Sequence, residues 1–150
     1  VIHISGEGDF AWLQQRKNEL PMELRQRYHL YAYLHDEMVD ALLAADLAVA
    51  RAGAATMGEF AAARLPSILV PYPYAGQHQE ANADFMVSRG AAMKVLDNTL
   101  AEGVLERMIE RLLADENALC SMAENAAKLA RPDAARAIAQ KLVSLSGGAW

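Results

Sequence analysis

Apolar residues along this chain occur in two alternating rhythms, short continuous runs and stretches in which they return every third or fourth position. Residues 1–5 read as a strand. Phe10, Leu13 and Leu20 give helical spacing over 10–20, which Pro21 interrupts. A second apolar run over 28–34 predicts a strand, and Met38, Leu42 and Ala45 place one apolar face on a helix over 36–45. Strands over 47–50, 67–70 and 91–96 then alternate with helices over 56–63 and 79–89. After Leu96 only helical spacing remains, over 100–114, 117–130 and 133–145, with Pro132 starting the last helix and Gly147-Gly148 reading as a frayed tail.

Short apolar strands separated by helices pair in parallel through right-handed crossovers. The expected fold is therefore α/β, a Rossmann-like parallel sheet with helices on both faces, followed by a helical tail. The 150 residues, 53% hydrophobic and 22% charged, suit one domain spanning 1–150 with a real core. A net charge of −5 argues against a general nucleic-acid binder, which needs clustered Lys and Arg. Cys120 is the single cysteine, which excludes an intrachain disulfide and a cysteine metal cluster and fits a reducing compartment such as the cytoplasm. No run reaches the roughly 18 apolar residues of a membrane span, and the opening Val1-Ile2-His3-Ile4 lacks the basic region of a signal peptide. A start on Val1 rather than Met suggests a chain cut from something longer.

In open parallel sheets ligands settle beyond the carboxyl ends of the strands, so the loops there carry the chemistry. After Ala50 the segment Arg51-Ala52-Gly53-Ala54-Ala55-Thr56-Met57-Gly58-Glu59 is built of small residues and leads into a helix. Free amides at the helix start and the helix dipole together make an anion site suited to a diphosphate, to which Thr56 adds a hydroxyl. Glu59 repels phosphate, but its two acceptor oxygens suit paired ribose hydroxyls. The same spacing also describes a capping box, with Thr56 as N-cap and Glu59 reaching back to its amide.

The loop Pro71-Tyr72-Pro73-Tyr74-Ala75-Gly76-Gln77-His78 is stiffened by two prolines and enters a helix where Gln79 and Asn82 lie on one face. Neutral amides that donate and accept are natural readers of sugar hydroxyls. His78 offers an acid or base, or else an exposed residue at a helix start. Tyr72 and Tyr74 stack on a ligand or pack as partial core. In Leu34-His35-Asp36-Glu37-Met38, either a base lies against Leu34, His35 and Met38, or Asp36 caps the helix, Met38 faces the core and His35 is solvated.

The motifs Tyr33-Leu34-His35-Asp36-Glu37-Met38, Ala45-Asp46-Leu47, Arg51-Ala52-Gly53-Ala54-Ala55-Thr56, Glu59, Leu65-Pro66, Val70-Pro71-Tyr72-Pro73 through Asn82, and Pro132-Asp133-Ala134-Ala135 resemble, in order and spacing, the MurG-like members of glycosyltransferase family 28. These are GT-B enzymes that move N-acetylglucosamine from UDP-GlcNAc to lipid I, forming lipid II at the cytoplasmic face of the bacterial inner membrane. The resemblance implies the C-terminal, donor-binding half of such a hexosyltransferase, with no metal or other cofactor. It implies that Ala54 to Glu59 line the diphosphate and ribose, that His35 and Met38 lie near the uracil, and that Gln79 meets the sugar. With Arg51, Gly53, His78 and Asn82, these form the candidate substrate-binding set. The mechanism implied is inverting transfer, with the catalytic base, acceptor loops and membrane contact supplied by an N-terminal domain. That domain, and the strand and Gly-Ser phosphate loop expected before Val1, lie outside this sequence, so the isolated chain is expected to be inactive. Arg64 stands where the family usually has glycine before Leu65-Pro66, which is expected to alter that turn.

Two other readings share these motifs. Another GT-B protein using a UDP-sugar, such as a glycolipid synthase or a UDP-GlcNAc epimerase, needs the same donor loop. A non-catalytic donor-binding subunit, working only beside a separate acceptor-binding protein, needs it too.

Overall fold

The computed structural model describes residues 1–74 and 78–146, so Ala75, Gly76, Gln77 and the Gly147-Gly148 tail lie outside the described residues. The chain divides into two compact units, Val1–Ala44 and Ala45–Trp150.

In the first unit, β1 (Ile2–Ile4) pairs in parallel with β2 (His29–Tyr31), in the register Ile2 to His29 and Ile4 to Tyr31. Between them run α1 (Glu7–Glu19) and α2 (Met22–Gln26), and α3 (Glu37–Leu43) follows β2. Pro21 does interrupt, but it also starts a helix. At φ −50° it sits at the N-cap of α2, and its carbonyl accepts from the amides of Leu24 and Arg25 at 3.0 and 2.9 Å. His3 Nδ1, in β1, and the hydroxyl of Tyr28, the residue before β2, are 2.6 Å apart.

In the second unit, β3 (Ala48–Ala50), β4 (Ser67–Leu69) and β5 (Ala92–Lys94) form a parallel ladder in the order β3-β4-β5. The expected sheet is thus hydrogen-bonded as two ladders, one in each unit. Between the strands lie α4 (Ala54–Ala62) and α5 (His78–Val87). All three residues of β4 are buried, as a central strand between two partners requires. Side chains alternate across a strand, so Ile68 and Val70 share one face, and there they form a core with Val95, Leu112 and Met122.

Leu112 and Met122 belong to α6 (Val104–Leu113) and α7 (Glu116–Leu129), so the helices beyond Leu96 complete this core. The single helix expected over 100–114 is instead a 3-10 turn over Asp97–Glu102 and then α6, broken at Gly103, whose φ of 67° lies in the left-handed region. Cys120 is exposed on α7, and α8 (Ala134–Leu145) has no buried residue.

Two helix ends set the depth at which β4 and β5 begin. At the end of α4 the Leu65 amide donates to the Phe60 carbonyl at 2.9 Å and the Arg64 amide to Ala61 at 3.2 Å. This is a Schellman ending, closed by the buried pair Phe60 and Leu65. Alpha-helix α5 ends the same way, through Ala91 to Met86 and Gly90 to Val87. The residue in the left-handed position is Gly90 (φ 69°) in one case and Arg64 (φ 57°) in the other. The expectation that Arg64 alters this turn is corrected: the turn is intact, and the arginine carries the backbone strain that a glycine would avoid.

Candidate functional site

Helix α4 begins three residues earlier than the Thr56 capping box requires. Gly53 is the N-cap, extended at φ −69° and ψ 157°, and no side chain caps the helix. Alanines are the strongest helix formers, so Ala54-Ala55 extend the helix back to the glycine. This corrects the capping-box reading: Thr56 lies within the first turn, and Glu59 lies inside the helix.

Met57 donates to the Gly53 carbonyl at 3.3 Å, whereas the amides of Ala54, Ala55 and Thr56 have no acceptor among the described residues. A nine-residue helix thus presents three uncapped donors at its positive end. The Thr56 hydroxyl borders the same place, since a Cβ on Gly53 would meet Thr56 Oγ1 at 3.6 Å. Met57 is half-buried, and Gly58 and Glu59 are exposed. Among the described residues the Glu59 carboxylate takes part in no hydrogen bond or ion pair.

The strand running into this helix is tied to its neighbours by Arg51. Its Nη1 lies 3.3 Å from the Val70 carbonyl, 3.4 Å from that of Pro71 and 2.5 Å from Asp97 Oδ1. Its guanidinium carbon also lies 5.4 Å from the Tyr72 ring centre. Arg51 follows β3, Val70-Pro71 follows β4 and Asp97 follows β5, so one guanidinium spans three adjacent strand ends. With side chains 47% and 34% exposed, the Arg51–Asp97 pair adds only about 0–1 kcal/mol to stability. Its effect is geometric.

The two amides expected to face a sugar also bridge loops. Asn82 Nδ2 donates to the Ala52 carbonyl at 3.0 Å, and Gln79 Oε1 accepts from the Tyr72 amide at 3.0 Å. Each side chain commits one end to the protein and leaves its other end, Asn82 Oδ1 and Gln79 Nε2, without a partner among the described residues. His78 is the first residue of α5 and is exposed. Tyr72 and Tyr74 are not partial core: they are 46% and 84% exposed and meet edge to face at 5.5 Å. With Pro71, Pro73, Glu80, Leu96, Asp97 and Asn98 they line a groove of about 390 Å³.

Lys94, at the end of β5, contacts Asp84 at 2.5 Å and Glu80 at 3.7 Å, both on α5. The hydrogen bond that Lys94 donates to Asp84 raises the lysine's pKa, partly offset by desolvation. In the first unit, His35 is exposed and packs against the Tyr33 ring at 4.8 Å, while Met38 is half-buried. Asp36 occupies the N-cap of α3, but its side chain makes no cap hydrogen bond, which corrects the reading of Asp36 as the cap. A cavity of about 450 Å³ there is lined by Ile2, Tyr31, Tyr33, Leu34, His35 and Glu37 among others, and Met38 is not part of its wall. Among the described residues no group of three or more His, Cys, Asp or Glu is placed to hold a metal, and no helix is long and apolar enough to cross a membrane.

The sequence missed Asp97. Nothing in its neighbourhood marks it, because its partner lies 46 residues away.

The profile of the glycosyltransferase family 28 C-terminal domain matches residues 1–138. The chain belongs to this family. Among curated proteins, this family 28 domain is 45% identical, over 97% of its length, to the UDP-N-acetylglucosamine--N-acetylmuramyl-(pentapeptide) pyrophosphoryl-undecaprenol N-acetylglucosamine transferase of Roseiflexus sp. (strain RS-1). It is 40% identical, over 92% of its length, to the protein of the same name from Carboxydothermus hydrogenoformans. The chain spans 37% and 36% of the lengths of these two relatives. Among solved structures, Acinetobacter baumannii MurG superposes with a TM-score of 0.77 at 29% identity, over 91% of this chain and 39% of that one. Spinosyn forosaminyltransferase SpnP shares the fold, with a TM-score of 0.58 at 18% identity over 85% of this chain and 37% of that one.

Proposed function

We propose that this family 28 domain binds UDP-GlcNAc as the donor part of an inverting hexosyltransferase that, with further sequence, transfers N-acetylglucosamine to lipid I to give lipid II. The observation that carries the reading is the start of α4. Among the described residues, three uncapped amides at the positive end of a helix are followed, one turn on, by a carboxylate without a partner. Uncapped amides stabilise a diphosphate, and the free carboxylate of Glu59 accepts from ribose hydroxyls without the cost of breaking an internal bond. The activity for which the relatives are named supplies the sugar and the acceptor.

In this reading the chain's share of catalysis is to position the donor and stabilise the departing diphosphate through backbone dipoles, with no metal. The free amide ends of Gln79 and Asn82 are offered to the hexose, with His78 beside them. His35 and Met38 are assigned to the base. The base that deprotonates the acceptor hydroxyl, and peripheral attachment at the cytoplasmic membrane face, are assigned to sequence outside this chain.

Titration calorimetry with UDP tests the reading. The chain is expected to bind UDP, and Glu59→Ala to weaken binding by about tenfold, the scale of a hydrogen bond to a charged group, with unchanged unfolding by urea. Absence of UDP binding, or equal affinity in the variant, would overturn it.

A further inference from the structure

We propose that Arg51 and Asp97 act as a positioning pair that fixes the turn in front of α4, and that Arg51 is not itself a ligand of the bound anion. The proposal rests on the reading of the α4 start as a diphosphate site. It starts from how the turn Arg51-Ala52-Gly53 is held. The arginine side chain is drawn toward the ends of β4 and β5 by Val70, Pro71 and Asp97, and the Ala52 carbonyl is held by Asn82. Gly53, the N-cap, follows directly, so the direction of the Ala54, Ala55 and Thr56 amides depends on this turn.

The guanidinium's short contact is to a carboxylate, and its other contacts are two carbonyls and an aromatic ring. A side chain engaged in this way is a strut. The pair is too exposed to add much to global stability, so its effect should appear in the geometry of the turn rather than in the unfolding midpoint.

The sign of one substitution separates the two roles. Asp97→Asn removes a negative charge from the loops around the helix start and releases Arg51. If Arg51 binds the diphosphate directly, Coulomb attraction then strengthens UDP binding or leaves it unchanged. If the pair positions the turn, the same substitution weakens it.

The experiment uses the whole chain and compares Asp97→Asn, Arg51→Met and the double variant, with Arg51→Lys as the variant that keeps charge but loses the planar fork. Affinities for UDP and for uridine are measured by calorimetry, and the amide resonances of Ala54, Ala55 and Thr56 are recorded without ligand. Each single variant is expected to weaken UDP binding roughly tenfold, the scale of one charge-assisted hydrogen bond, and the double variant no further, because the two residues act as one unit. Uridine affinity is expected to stay constant, and the three amide resonances to move. A gain in UDP affinity for Asp97→Asn, an equal loss for UDP and uridine, or unmoved resonances would overturn the proposal. If the unsubstituted chain binds no UDP, the diphosphate reading fails, and the resonances still decide whether the pair sets the turn.

Discussion

Asn82 on α5 donates its amide to the carbonyl of Ala52, thirty residues earlier, at 3.0 Å. A residue that sequence spacing offers to a sugar thus also holds the backbone that leads into α4, where the diphosphate site is proposed. Asn82→Asp keeps the shape and removes the donor, setting a carboxylate against a carbonyl oxygen. The expected outcome is a loss of about 1–2 kcal/mol in urea unfolding, the cost of leaving a partly buried acceptor unpaired, together with weaker UDP binding by calorimetry. A variant as stable as the parent would show that the bond contributes nothing.

Arg64 provides a gain-of-stability test. Its φ of 57° places a side chain where glycine is the unstrained residue, and its amide and the next one close the end of α4. Arg64→Gly is expected to stabilise the chain by about 1 kcal/mol, the cost of the left-handed conformation for an L-residue less the added freedom of glycine when unfolded. A lower urea midpoint would mean that the arginine side chain compensates for its own backbone.

Gly53 tests the opposite case. At φ −69° its backbone is open to any residue, and a Cβ there would make only ordinary contact with Thr56 Oγ1 at 3.6 Å. The fold therefore does not require glycine at this position. Gly53→Ala is expected to change stability by less than about 0.5 kcal/mol while weakening UDP binding, because the methyl group occupies the approach of the diphosphate. Unchanged affinity would remove Gly53 from the binding set.

Lys94 gives a pH dependence. Its hydrogen bond to Asp84 raises its pKa above the ordinary 10.5 of a lysine. The stability it contributes is therefore complete below that ordinary value and is lost as pH rises through the higher, folded-state value. Urea midpoints measured across the alkaline range should fall, and Lys94→Met should flatten that fall. An equal fall in both proteins would assign the effect to other groups.

The alternation of strands and helices was legible because buried parallel strands are short and apolar, and 67–70 stands out from its surroundings for that reason. The loops worth examining followed from the same order. The N-cap of α4 was misplaced by three residues because Thr56-Met57-Gly58-Glu59 carries capping-box spacing, while the helix propensity of Ala54-Ala55 extends the helix to Gly53. The resemblance marks Arg64 as a departure, but no pattern along the chain shows that a Schellman ending would hold the arginine in a left-handed backbone. The roles of Arg51, Gln79 and Asn82 depend on partners 46, 7 and 30 positions away. Such pairings are set by how strands dock, and side-chain periodicity carries no record of them.

The 46-residue span from Arg51 to Asp97 also orders events in time. Local segments such as α4 form quickly, whereas contacts distant in sequence wait for the intervening chain to close. Helix α4 is thus free to form before β5 has docked, but the turn that aims its first amides is complete only once Asp97 has arrived. If the start of α4 binds a diphosphate as proposed, that capacity is among the last properties acquired during folding, which makes ligand binding a report on the finished chain rather than on its secondary structure.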